Sequence, residues 1–441
     1  MRHATVRFVP ASVVSLCALV IAAVFAAPAV SAEQRANRDS HQRTQAQRGA
    51  CEARQLPPAP IDTSEEPKPG TSTPDPLPVP EDPVGGPRMG DCGIIQPQNA
   101  SAPPGGISAA TWAITDLDSG DVLAAKDPHA RERPASLIKS LLAIVVIKEL
   151  RPDTKVKGTQ EDADQEGTKV GVGPGGTYTV DQLLHALIMR SGNDAAWALA
   201  RTLGGRDAAL EKMNALAHEL GALDTRAATP SGLDGPGMTT SAYDQSLIFR
   251  AAMKYDEYAE AVKTESIEFP GYKGHPGFQV NNDNRLLGVY PGFLGGKTGF
   301  TDDARHTYVG GAEQNGKRLA VVLLRGERNP GPLAEQASKL LDYGFRLAAK
   351  DAKRVGELVD RAPEAQPKQD ASQGDEASDP TREAVDQAAG ALPGEPARSA
   401  FGNVGLPLVM LAGFAAMVTV AMWFRRRRAR VARANRAAAS E

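Results

Sequence analysis

Cysteine is nearly missing from this chain of 441 residues, which has only Cys17, Cys51 and Cys92. So few exclude a disulfide-stapled mini-domain and a cysteine-rich zinc module. Histidine is scarce too, with seven, and none falls at metal-ligand spacing. No metal site is expected, and His185 reads as a helix-face residue. An excess of one charge is also lacking. The 50 basic and 53 acidic residues leave a formal net charge of −3, which gives no whole-chain electrostatic case for nucleic acid. A phosphate loop is almost spelled at Gly292 to Thr298, but Pro291 stands where its first glycine is required. No cofactor is expected.

What is present at the two ends concerns location. Residues 1–32 read as a signal peptide, with Arg2 and Arg7 first, an apolar run from Val13 to Ala27, and Val30-Ser31-Ala32 as a cleavage site. An uncleaved anchor is the alternative, and export follows either way. Cys17 would leave with the signal. Cys51 and Cys92 remain as an even pair in an oxidising compartment, where a disulfide is expected, although spacing alone proves no bridge. Residues 33–91 are polar and then proline-rich, an extended extracytoplasmic linker expected to have no fixed structure. Residues 351–403 have the composition of a disordered stalk. Residues 404–424 are uncharged and mostly apolar, long enough for a transmembrane helix. Arg425-Arg426-Arg427-Arg428 opens a basic tail, 425–441, which the positive-inside rule places in the cytoplasm. The expected protein is a single-pass membrane protein with its folded domain outside.

That domain spans 92–350. Thr111 to Asp127 alternates around Asp118-Ser119-Gly120 and predicts two strands and a hairpin. Pro134 opens a helix carrying Leu137, Ile138, Leu141, Leu142 and Ile144. Thr179 and Gln182 form a capping box before a buried helix, which stops at Ser191-Gly192-Asn193. Further helices are expected from Asp194, from about Asp207 to Leu220, and from Ser241 through Met253. Asn315-Gly316 joins two strands, and Pro332 to Ala349 is an amphipathic closing helix. Strands and helices at both ends enclose a helical middle. The fold class is α/β, an antiparallel sheet flanked by helices with an all-helical subdomain.

Ser136 and Lys139 lie three apart at the start of one helix, so a hydroxyl and an amine share a face and can act as nucleophile and base. Alone, that pair arises by chance. Ser191-Gly192-Asn193 alone is a helix-cap loop, and Lys297-Thr298-Gly299 alone is a turn-to-strand junction. All three occur in this order, each at an element boundary. The trio is the signature of penicillin-binding proteins and class A β-lactamases.

Beyond the trio, the chain resembles the low-molecular-mass D-alanyl-D-alanine carboxypeptidases. Ser191-Gly192-Asn193-Asp194-Ala195-Ala196, Met213-Asn214, Ser231-Gly232-Leu233-Asp234, Thr240-Ser241-Ala242-Tyr243-Asp244 and Gly295-Gly296-Lys297-Thr298-Gly299-Phe300-Thr301 carry the likeness. It covers roughly 95 to 350 and not the flanking segments. No counterpart is visible of the small β-rich domain that many of these enzymes carry.

The resemblance implies a β-lactamase/DD-peptidase-like fold and a peptidase acting on peptidoglycan stem peptides. Ser136 would attack the D-Ala-D-Ala carbonyl, with Lys139 as a neutral base whose pKa is lowered by burial and by Lys297. Ser191 would relay a proton to the departing nitrogen, and Asn193 would hold the substrate amide. Lys297 and Thr298 would hold the terminal carboxylate, with Gly299, Phe300 and Thr301 completing the substrate strand. The N–H groups of Ser136 and Phe300 would form the oxyanion hole. β-Lactams would acylate Ser136. Arg305 reads as a solvated surface residue or a carboxylate ligand. Two other readings stand beside this one. A β-lactamase would need a glutamate to activate water, and none lies in the expected context, since Glu211 sits in a carboxypeptidase-like segment. A silent stem-peptide binder would have no need of Ser136, Lys139, Ser191 and Lys297 together.

Overall fold

The computed structural model describes residues 53–350 and 352–363. The signal at 1–32, Cys51, the run 404–424, the tail 425–441 and the stalk other than 352–363 lie outside the described residues. No helix among the described residues is long and apolar enough to cross a membrane.

The strands are β1 (Ile94–Ile95), β2 (Thr111–Asp116), β3 (Asp121–Lys126), β4 (Lys155–Lys157), β5 (Thr177–Thr179), β6 (Ser266–Phe269), β7 (Phe278–Asn281), β8 (Phe293–Thr301), β9 (Arg305–Gln314), β10 (Lys317–Gly326) and β11 (Gly356–Glu357). The main sheet runs β1-β3-β2-β10-β9-β8, with β11 also on β3, and every pair is antiparallel. Asn315 and Gly316 take φ of +50° and +72°, as the β9–β10 hairpin turn requires. Short ladders β4–β5 and β6–β7 accompany the helical region.

The helices are α1 (Lys139–Glu149), α2 (Gln160–Ala163), α3 (Val180–Met189), α4 (Asn193–Thr202), α5 (Arg206–Glu219), α6 (Ala242–Ala252), α7 (Asp256–Lys263) and α8 (Leu333–Ala348). The capping box at α3 forms, with Gln182 N donating to Thr179 Oγ1 at 3.0 Å and Thr179 N to Gln182 Oε1 at 2.9 Å. Ser241 caps α6.

Because strand side chains alternate, β10 feeds two cores. Leu319, Val321 and Leu323 pack with Leu340, Leu341 and Leu347 of α8. Ala320, Val322 and Leu324 join the larger cluster with Leu141 and Leu142 of α1 and Ile248 of α6. Each fully buried aliphatic side chain contributes about 1.5–3 kcal/mol. Both sheet faces are thus covered, and α1, with Ser136 in the turn just before it, sits inside the larger core.

Parts of two segments expected to be unstructured, 53–91 and 352–363, are ordered. Residues 53–91 form a strap laid on the domain. Its extended, proline-rich backbone makes few internal hydrogen bonds, and buried guanidinium groups take its free carbonyls. Arg131, fully buried, donates to Gln55 O and Leu77 O, each at 2.7 Å, and to Pro78 O at 3.0 Å. Arg133 donates to Pro58 O at 2.8 Å and grips Glu65 through both carboxylate oxygens. Asp303 accepts from Ile61 N at 2.6 Å and Ser64 Oγ at 3.2 Å. Val84 and Met89 enter the core. Residues 53–91 of the expected linker are therefore part of the domain, held by polar anchors that composition does not reveal. At the other end Val355 and Leu358 are buried and β11 pairs with β3, so order extends past 350. Cys92 is disulfide-bonded.

Candidate active site

Pro134 leads into a 3-10 turn, Ala135–Ile138, and Lys139 is the first residue of α1. In a 3-10 turn residues three apart eclipse, so Ser136 and Lys139 stack more directly than on a regular helix. Lys139 Nζ is 2.9 Å from Ser136 Oγ. It also bonds Asn193 Oδ1 at 2.7 Å and the Ser231 carbonyl. Two of these three partners are carbonyl oxygens and can only accept. A neutral amine has two N–H groups and one lone pair. In that form both N–H groups would go to the carbonyls, which leaves the lone pair for the Ser136 hydroxyl.

The electrostatics favour that neutral form. Lys139 is fully buried, and its pKa is held well below the usual lysine range, first by desolvation and then by the charge of Lys297. Asp194 and Asp283 oppose the shift. Lys297 is also buried, and burial lowers its pKa while Asp283 raises it.

The backbone around Ser136 is tightly set. Ala135 sits at φ +46°, a left-handed conformation that a side chain rarely adopts. Gly232, at φ +85°, lies so close beneath it that a β-carbon there would strike the Ala135 carbonyl. On the other side a β-carbon on Gly299 would come within 2.9 Å of Ser136 N. Thr307 Oγ1 donates to Pro134 O at 3.0 Å and ties β9 to the same turn. The Ser136 turn is therefore clamped between β8 and the Ser231-Gly232 loop.

Ser191 is buried at φ +64° just beyond α3, and Asn193 opens α4 behind Gly192. Asn193 Nδ2 donates to Glu166 O at 2.6 Å, so its amide is oriented at both ends, yet each atom keeps one further hydrogen-bonding position. Lys297, Thr298, Gly299, Phe300 and Thr301 all lie on β8, at the end of the sheet order. Lys297 Nζ donates to Thr298 O at 2.8 Å, Thr298 Oγ1 to Asp283 Oδ1 at 3.1 Å, and Thr301 Oγ1 to Asp234 Oδ1 at 3.0 Å. Phe300 is exposed, and its ring lies tilted against that of His306 with centroids 4.6 Å apart. Arg305 pairs with Glu327 at 2.9 Å and lies 5.8 Å from the Phe300 ring centroid, which satisfies its charge at the surface. His185 bonds the Asp181 carbonyl of its own helix at 3.0 Å. Among the described residues no carboxylate is hydrogen-bonded to Ser136, Lys139 or Ser191.

Two participants carry no role in the sequence reading. Ser231 acts through its carbonyl, which no side-chain motif announces. Asp283, counter-charge to both lysines, hides in the polar turn Asn281-Asn282-Asp283-Asn284, whose only sequence signal is turn chemistry.

This geometry agrees with the comparisons to known proteins. The profile of the D-alanyl-D-alanine carboxypeptidase family, Peptidase_S11, matches residues 96–328. The chain is 45% identical over 257 residues to D-alanyl-D-alanine carboxypeptidase DacB2 of Mycobacterium tuberculosis, covering 57% of this chain and 87% of that protein. It is 30% identical over 238 residues to DacF of Bacillus subtilis, covering 53% and 61% respectively. The crystal structure of a D-alanyl-D-alanine carboxypeptidase from Mycobacterium tuberculosis superposes with a TM-score of 0.57 at 44% identity, covering 60% of this chain and all of that one. The Streptomyces K15 DD-transpeptidase superposes with a TM-score of 0.52 at 27% identity, covering 56% and 100%. With the stacked Ser136–Lys139 pair, the Ser191–Asn193 corner and the Lys297–Thr301 strand in one place, the chain belongs to the D-alanyl-D-alanine carboxypeptidase family.

Proposed function

We propose that the protein removes the terminal D-alanine of peptidoglycan stem pentapeptides through an acyl-enzyme on Ser136. The observation that carries this reading is the Lys139 amine, fully buried, 2.9 Å from the Ser136 hydroxyl and otherwise bonded only to carbonyl oxygens. Ser136 Oγ attacks the carbonyl of the D-Ala-D-Ala bond as its proton passes to Lys139. The oxyanion forms against the N–H groups of Ser136 and Phe300, where one lost donor typically costs about 2.7–4 kcal/mol. Ser191 passes a proton to the leaving D-alanine nitrogen. Lys297 and Thr298 hold the terminal carboxylate, for which the Thr298 hydroxyl turns from Asp283. Asn193 orients Lys139 and offers its remaining positions to the substrate amide. Water then releases the shortened peptide.

β-Lactams present the same carbonyl and acylate Ser136 without efficient release. The test incubates the exported protein first with penicillin and then with a pentapeptide ending in D-Ala-D-Ala. A stable adduct on Ser136 together with D-alanine release supports the reading. Rapid penicillin turnover indicates a β-lactamase, and neither signal leaves a binder. Ser136→Ala abolishes both signals, and D-alanine release from that variant would place the nucleophile elsewhere.

The apolar run 404–424 and the arginines after it support a membrane tether, with the catalytic domain outside and the C-terminus in the cytoplasm. Cell fractionation, with protease protection of a C-terminal tag, tests this. A tag digested in intact cells would reverse the orientation.

A further inference from the structure

The strap lies outside the residues matched by the family profile, and it reaches the active site. A cleft of about 990 Å³ is lined by Ser231, Phe300 and Thr301 together with Asp62, Ser64 and Lys68 of the strap. Trp197 on α4 also lines this cleft. The three strap side chains are exposed, whereas the segment that carries them is fixed. Asp303 holds Ile61 N and Ser64 Oγ, and Arg133 holds Pro58 O and Glu65.

The direction of the substrate follows from β8. With the terminal carboxylate at Lys297–Thr298 and the scissile carbonyl at the Phe300 amide, the peptide runs antiparallel to this strand. Its upstream residues then pass Thr301 and Asp302, both of which line the same cleft. At about 3.3 Å per extended residue, the two or three residues before the dipeptide lie opposite the strap.

We propose that the strap is a specificity element of the active site. Asp62, Ser64 and Lys68 form the wall against which the peptide upstream of the scissile bond lies, so the enzyme selects extended peptides over a bare dipeptide. Lys68 has no ion-pair partner among the described residues, and the Asp62 carboxylate, which accepts from Ser64 N at 2.8 Å, keeps further acceptor positions. The strap acts by binding and adds no chemistry to the acyl transfer. This inference rests on the peptidase reading above.

The test uses the exported protein and the double variant Asp62→Ala/Lys68→Ala, which leaves Ser64, Arg131, Arg133 and Asp303 in place. Steady-state rates are measured on a pentapeptide and on N-acetyl-D-Ala-D-Ala, together with the rate of penicillin acylation. The expected result is a fall of about fivefold or more in kcat/KM for the pentapeptide, carried by KM. The dipeptide rate and penicillin acylation stay within about twofold of wild type. Equal losses on both substrates would make the strap merely structural, and no loss on either would remove it from the substrate path. Both results overturn the inference while leaving the peptidase intact. Failure of the wild-type protein to release D-alanine or take up penicillin would instead sink the functional reading itself.

Discussion

Lys139 Nζ stands 2.9 Å from Ser136 Oγ with its two other polar partners both carbonyl oxygens, so the only group there that can give it a proton is the serine. The rate of Ser136 acylation must then follow the neutral fraction of Lys139, rising with pH through its lowered pKa. Lys297 is one cause of that lowering. Removing its charge as Lys297→Gln raises the Lys139 pKa and moves the acid limb of the profile to higher pH. The check is the penicillin acylation rate against pH for both proteins. An acid limb at the same pH in the variant would show that desolvation alone sets the base.

Gly232 is the second point of control. At φ +85° and against the Ala135 carbonyl, it has no room for a β-carbon. Gly232→Ala pushes on Ala135 and Ser136 and displaces the Ser231 carbonyl from Lys139. Acylation should fall by at least about a hundredfold, because a displacement near 1 Å costs that much at a reacting centre. Stability should fall by about 1–3 kcal/mol. Stopped-flow acylation and urea unfolding measure the two effects, and a variant that acylates at the wild-type rate would refute the clamp.

Much of this site could be read before the fold was known, because its chemistry lies in side chains at element boundaries. Ser136, Lys139 and Ser191 each lie at a recognisable turn or helix end, whereas Lys297, expected at a turn-to-strand junction, lies in the middle of β8. The β9–β10 hairpin and the α3 capping box are written in local turn residues and form as expected. Ser231 and Asp283 were not legible in that way, since one acts through its backbone and the other through long-range charge. The strap was misread for a related reason. Proline-rich composition correctly predicts an extended chain with little apolar surface to bury. It does not show that Arg131 and Arg133, more than fifty positions away along the chain, would spend their guanidinium groups on its carbonyls.

Arg131 should accordingly be the most costly single anchor to lose. Its buried guanidinium joins the strap carbonyls to Asp224 Oδ1 at 3.1 Å, and Asp224 also pairs with His129 at 2.7 Å. Arg131→Ala leaves a buried carboxylate with half its partners and frees the strap. A loss of about 3–5 kcal/mol is expected in urea unfolding. Limited proteolysis should then cut the variant between residues 55 and 80 before the catalytic domain. Uniform cleavage in variant and wild type would show that the strap is held by other contacts.

Glu132 gives the protein a pH dependence of opposite sense to that of an ordinary ion pair. Burial pushes its pKa from 4.5 up to about 7, against the weaker pull of Arg325, Arg133 and Lys126. Between those two values the folded state binds more protons at this site than the unfolded state does. Its contribution to stability therefore falls as pH rises from 4.5 to 7 and stays low above that. Glu132→Gln keeps the shape and removes the titration. The variant should match wild type near pH 4 and exceed it at pH 8, by at most about 3 kcal/mol. Denaturant unfolding at the two pH values decides the matter. A variant less stable than wild type at pH 8 would mean that Glu132 is ionised there and that Arg325, 3.9 Å away, stabilises it enough to outweigh burial.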